Sequence, residues 1–272
     1  MADAFYIYCI GEQDALAPLF DEKLPDAIEP AATLRLITKG KLSTVASVVP
    51  LADYGEQEIA ARLSDAAWVA ARAMRHEKVL EHFAARASLV PLRFGTIYLT
   101  LAGVEEMLER KRQELLDIIE RLREKEEWGV NIFCNRTRLA KIITSISPTL
   151  REMSERACAA SAGQAYLLRK KIEAMRADEV RPEIRRVVGE IERELSALSS
   201  GAVRLRVRQA EAAEHGELAA KLAFLISRKG FVDFRAAAEK IARERAEAGF
   251  RLELTGPWPA YNFVADLKAD AL

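Results

Sequence analysis

Few residues in this 272-residue chain have the types that metal binding, nucleophilic attack or acid–base transfer require: it holds three histidines and three cysteines. His76-Glu77 with His82 superficially resembles the zinc-protease helix motif, which needs two histidines four residues apart. Here the separation is six, and at about 100° per helical residue the two rings point roughly 120° apart. They cannot share an ion, so both are expected to be structural or solvated; His215 is isolated in sequence. Cys9, Cys134 and Cys158 are widely spaced and odd in number, which fits a reducing compartment. Cys9 and Cys134 lie in apolar runs, where a thiol behaves as a small hydrophobe. The 13 glycines are scattered and form no phosphate cradle, and no Gly-x-Ser-x-Gly elbow supports a serine nucleophile. Acidic pairs such as Glu105-Glu106 and Glu126-Glu127 read as solvation and ion pairing. No catalytic residue, cofactor or metal is expected, and the chain is not expected to be an enzyme.

Charge narrows the partners. Lys plus Arg number 41 and Asp plus Glu 41, a neutral balance that argues against general binding to polyanions. The distribution is uneven: residues 1–58 hold ten acids and four bases, residues 136–208 sixteen bases and nine acids. This reads either as oppositely charged solvated faces or as steering of a partner, including head-to-tail self-association. Arg204, Arg206 and Arg208 alternate along one strand, but the strand carries no aromatic on which a base could stack, so no nucleic-acid binding is expected. At 50% hydrophobic and 30% charged, the composition belongs to a folded, soluble protein. No basic region followed by an apolar core opens the sequence, and no stretch reaches the roughly 18 apolar residues of a membrane span. A cytoplasmic protein without membrane insertion is expected.

The elements that must position these residues follow from periodicity. Residues 5–10 form an apolar run ending at Gly11, a buried strand. Strands at 34–38 and 43–49 flank Gly40 in a hairpin. Residues 56–87 predict a helix with Ile59, Leu63, Ala66, Ala67, Ala70 and Met74 on its apolar face, and 89–98 is extended with an irregularity at Pro91. A helix at 102–125 buries Val104, Met107, Leu108, Leu115, Ile118, Ile119 and Leu122. Next come a strand at 128–134, helices at 149–178 and 182–198 with Pro182 in the first turn of the second, strands at 203–208 and 218–227, a helix at 232–248 capped by Gly249, and a strand at 250–254. The fold class is α+β, two ferredoxin-like (modified βαββαβ) halves whose antiparallel sheets are covered by helices. The expected domains are 1–125 and 126–272, the second ending in a stiff, extended tail.

Four stretches go further than periodicity: Phe5-Tyr6-Ile7-Tyr8-Cys9-Ile10-Gly11, Val90-Pro91-Leu92-Arg93-Phe94-Gly95-Thr96, Glu127-Trp128-Gly129-Val130, and Leu254-Thr255-Gly256-Pro257-Trp258-Pro259-Ala260-Tyr261-Asn262-Phe263. In this order and spacing, across essentially the whole chain, the sequence resembles the gas vesicle GvpL/GvpF family. Cys9 departs from the small residue expected there. The resemblance implies a non-enzymatic accessory protein and minor component of gas vesicle formation that acts in the cytoplasm and at the vesicle. It also implies a modified ferredoxin-like N-terminal domain followed by an α+β domain. The implied partners are the hydrophobic major shell protein GvpA, whose aggregation it would prevent during assembly, and other accessory Gvp proteins. Candidate partner-binding residues are Arg93, Phe94, Trp258, Tyr261 and Phe263. The competing reading gives Phe94 to the core, Arg93 to an acid, and the tail to a strap over its own domain. Rival functions are a small-molecule-binding protein or enzyme on the same scaffold, and a bridge between accessory proteins.

Overall fold

The computed structural model describes residues 3–207, 212–213 and 216–264. The chain divides into two compact units, and it changes unit between Glu126 and Glu127 and returns to the first between Pro257 and Trp258. The first unit contains β1 (Asp3–Glu12), α1 (Gln13–Leu16), β2 (Leu34–Lys39), β3 (Leu42–Pro50), α2 (Leu51–Tyr54), α3 (Glu56–Arg62), α4 (Ala66–Ala84), β4 (Leu89–Pro91), β5 (Ile97–Tyr98), α5 (Leu101–Arg110) and α6 (Arg112–Leu122). Its antiparallel sheet has the order β2-β3-β1-β4, and β5 also pairs with β1. Helices lie on both faces of β1: Val79, Leu80 and Phe83 of α4 pack with Tyr6 and Tyr8, while α6 also contacts the strand. Burial on both faces explains why residues 5–10 read as a continuous apolar run rather than an alternating one. A bulge between Ile7 and Cys9 breaks the pairing with β3 at Tyr8.

The second unit contains β6 (Lys125–Cys134), α7 (Arg136–Ile146), α8 (Pro148–Ala159), α9 (Ala162–Ser196), β7 (Gly201–Leu205), β8 (Ala212–Ala213), β9 (Gly216–Ser227), α10 (Phe231–Arg245) and β10 (Phe250–Trp258). Its sheet has the order β10-β6-β9-β7, with β8 beside β9. Val130 and Ile132 of β6, Phe224 of β9, Val187, Ile191 and Leu195 of α9, and Phe234 and Ile241 of α10 share one core. The chain is thus α+β, with two antiparallel sheets and covering helices.

Several expectations need correcting. The helix foreseen at 56–87 is broken at Leu63–Asp65, because the Asp65 carboxylate accepts from the amides of Ala67 and Trp68 and starts α4 afresh. Leu63 and Met74 are exposed, and the buried stripe is His76, Val79, Leu80 and Phe83. The helix expected at 102–125 is interrupted at Lys111, although its buried stripe is as expected. Pro182 lies inside the 35-residue α9 instead of opening a helix. An internal proline costs one backbone bond, and burial of Val180, Val187, Val188 and Ile191 along the same helix offsets it. The helix α7 was not foreseen; the Asn135 side chain accepts from the Arg138 amide and begins it, and Ser147 with Pro148 begins α8. The strand expected at 203–208 spans Gly201–Leu205; Arg208 and His215 lie outside the described residues. Finally, the tail leaves the expected second domain. Residues 258–264 group with the first unit, and the chain turns into a single 3-10 turn at Tyr261–Phe263 rather than staying extended.

Candidate partner-binding site

The site is assembled on β1. Between β4 and β5 the edge strand leaves the ladder: the Leu92 amide still donates to the Tyr8 carbonyl at 2.9 Å and the Ile7 amide to the Thr96 carbonyl at 2.9 Å, while Arg93, Phe94 and Gly95 loop out. A β-turn closes the loop, with the Thr96 amide (3.2 Å) and hydroxyl (2.7 Å) both donating to the Arg93 carbonyl. The third residue of this turn, Gly95, has φ +86°, the left-handed geometry that favours glycine in a type II turn. Gly95 and Thr96 therefore have separate backbone jobs: turning, and sealing the turn.

Beneath the loop lies a buried polar network. The Gly95 amide donates to the Tyr6 hydroxyl at 3.1 Å, and that hydroxyl lies 2.9 Å from His76 Nδ1. His76 Nε2 is 3.2 Å from the Leu92 carbonyl and 3.1 Å from the Tyr261 hydroxyl, which itself donates to Glu77 Oε1 at 3.1 Å. A carbonyl can only accept, so Nε2 carries the proton and Nδ1 accepts from Tyr6. One donor sequence then satisfies every group, from Gly95 through Tyr6 and His76 to the Leu92 carbonyl. The His76 ring is fully buried, stacks on Tyr8 and meets Phe94 edge-on. Burial lowers its pKa from 6.5 to about 4, so it is neutral at pH 7. Burial likewise raises the Glu77 carboxyl above its usual value, and the Tyr261 hydroxyl works in the opposite direction. Nearby, Arg72 donates to Glu29 and to the Tyr54 hydroxyl and lies 4.1 Å from the centre of the Trp68 ring, tying residue 29 to α4.

The five candidate residues separate by exposure. Phe94 is half-buried, packed edge-on against Tyr6 and His76. Tyr261 is half-buried in the network, and the Phe263 carbonyl accepts from Arg121 at 2.6 Å. Arg93 is exposed, and its guanidinium makes no hydrogen bond or ion pair among the described residues. Trp258 remains 48% exposed. Residues 258–264 group with the first unit and not with the second domain to which they were expected to belong, and Tyr261 reaches a histidine 185 positions earlier. His76 is the residue that sequence reasoning undervalued. Its partners Tyr6 and Tyr261 lie too far away in sequence for spacing to disclose them.

Other chemistry can be placed as well. Cys9 is buried and its thiol pKa is pushed up by burial; Cys134 is also buried and is raised to about 11; Cys158 is exposed. Neither buried thiol ionises at neutral pH. His82 packs edge-on against Phe83 rather than beside His76, and no group of three or more His, Cys, Asp or Glu among the described residues could hold a metal ion. In the second unit an open groove of about 440 Å³ is lined largely by apolar groups, including Trp128, Phe231, Leu252 and Leu254, together with Arg235 and Glu239. Within the described residues, no helix is long and apolar enough to cross a membrane.

Known proteins resemble this chain along its length. The chain is 28% identical to gas vesicle protein L of Streptomyces sp. (strain CB03234), covering 97% of this chain and 94% of that protein. It is 23% identical to gas vesicle protein F of the same organism, covering 95% and 98% respectively. The fold is similar to the crystal structure of GvpF from Anabaena sp. PCC7120, with a TM-score of 0.67 at 16% identity over 96% of both chains. It is also similar to GvpF from Microcystis aeruginosa, with a TM-score of 0.59 at 17% identity over 96% of this chain and 98% of that one. The model of the gas vesicle synthesis protein GvpL/GvpF family matches residues 4–265, and the chain belongs to that family.

Proposed function

We propose that this protein binds the hydrophobic major shell protein of the gas vesicle, GvpA, and keeps it from aggregating until it joins the growing shell. The observation that carries this reading is the convergence of two distant segments on one face of the first unit. The loop at 93–94 and the tail at 261 meet through His76, which Phe94 and Tyr261 both contact, while Arg93 is exposed in the loop and Trp258, at the start of the tail, is 48% exposed. Aromatic and arginine side chains on a rigid base are the composition of an interface anchor. A subunit destined to line a gas space exposes apolar surface before assembly and is prone to aggregate. Covering that surface requires no bond to be made or broken, so the protein acts by binding, in the cytoplasm and at the vesicle, together with other accessory Gvp proteins. In a light-scattering assay of purified shell protein, a stoichiometric amount of this chain delays aggregation. An unchanged time course would refute the chaperone role.

A further inference from the structure

The helix α9 has one face with no structural reason to be apolar. Ala165, Leu168, Ile172 and Met175 form the stripe that packs inward, being buried or half-buried. At about 100° per residue, Tyr166 and Leu167 project from the opposite side, where a surface helix normally carries polar groups. They are 58% and 66% exposed. Cations surround them: Lys170 lies 5.7 Å from the centre of the Tyr166 ring, and Arg169 and Lys171 are exposed beside it on the same helix. Residues 156–171 contain four bases and no acid. Among the described residues, Arg156, Arg169 and Lys171 make no ion pair.

The first unit offers the complement. Residues 12–29 hold six acids and one base. Three of the acids are committed within the unit, Glu12 to Arg123, Glu22 to Arg86 and Glu29 to Arg72. Asp14, Asp21 and Asp26 are exposed with no ion pair among the described residues, and half-buried Phe20 and Leu24 lie among them in the chain. Bases flanking two exposed apolar residues thus have their counterpart in a run of acids that flanks Phe20 and Leu24, which pack with one side against the first unit's core.

We propose that the Tyr166–Leu167 face of α9 docks onto segment 12–29 of a second copy of this chain, making a head-to-tail contact. Two basic faces repel each other and so do two acidic ones, which excludes the symmetric pairing of either patch with itself and leaves the heterologous contact. The contact is electrostatically steered and weakens with salt, because exposed charges are screened over about 8–10 Å near physiological ionic strength.

Analytical ultracentrifugation of the full chain tests this. The sedimentation coefficient is expected to rise with protein concentration at about 0.02 M salt, and the apparent dissociation constant to weaken at least ~10-fold by about 0.5 M. The pair Arg169→Glu with Lys171→Glu, and separately the pair Asp21→Lys with Asp26→Lys, should each give a monomer at all concentrations. Mixing the two doubly substituted proteins should restore association, since each then meets an opposite charge at both ends. All four side chains are exposed, and circular dichroism checks that the variants fold; the salt response of the unsubstituted chain stands without them. A monomer at low salt, association that survives either reversal, or no association on mixing would overturn the proposal.

Discussion

Replacing His76 with glutamine should remove a pH dependence from the stability of the first unit. The buried ring has a pKa of about 4 against an ordinary 6.5, so the folded state binds it as the neutral base and the unfolded chain takes up the proton first. The stability this confers is complete above pH 6.5 and is lost as pH falls from 6.5 through 4. The full difference corresponds to about 3 kcal/mol, of which about 2.5 kcal/mol is gone by pH 4.5. Glu77 acts with the opposite sign: its raised carboxyl favours the folded state as pH falls, and it is present in both proteins, so the difference between them isolates the histidine. Hydrogen-exchange protection of the β1 amides, corrected for intrinsic rates, reports the opening free energy of this unit. Between pH 7.5 and 4.5 the parent should lose about 2.5 kcal/mol more than His76→Gln. Parallel losses in the two proteins would show that His76 is not held neutral in the core, and the donor order from Gly95 to Leu92 would then be wrong.

Three further outcomes follow from particular contacts. Gly95→Ala meets no close neighbour, the nearest atom being Ile59 Cδ1 at 3.9 Å, so its whole cost is the left-handed backbone, about 1–2 kcal/mol, visible as a lowered melting temperature. Tyr261→Phe removes the hydroxyl shared by His76 and Glu77 and should cost about 1–2 kcal/mol, with hydrogen exchange rising first at residues 258–264. Arg186→Ala leaves the Glu183 side chain, 3% exposed, without its bidentate partner, and denaturant titration should show a loss of about 3 kcal/mol.

The parts of the fold that were legible in the sequence are those where burial imposes a strong pattern. The run at 5–10, the hairpin around Gly40 and the stripe from Val104 to Leu122 each have one dominant apolar period. The alanine-rich stretch from 56 to 87 has little contrast between faces, so its pattern puts Leu63 and Met74 on the apolar side, while in the fold both are exposed and His76 is buried. Pro182 misled for a different reason: a local rule about helix starts gave way to tertiary burial on both sides of it. Of the candidate site, the strand irregularity at Pro91 was readable, whereas the turn sealed by Thr96 was not. Its anchoring was not, because Tyr6 and His76 stand 70 positions apart and Tyr261 lies another 185 beyond. Only folding brings these three side chains within hydrogen-bonding distance.

The claim that residues 93 and 258 form the outward contact is tested most directly by measuring the affinity of the full chain for immobilised shell protein with both exposed side chains truncated. Arg93→Ala combined with Trp258→Ala should weaken binding at least ~30-fold, since a single central arginine or tryptophan anchor contributes about 2 kcal/mol or more and the two need not add. Circular dichroism checks that the doubly substituted chain is folded at the assay temperature. Undiminished affinity in that folded variant would contradict the account.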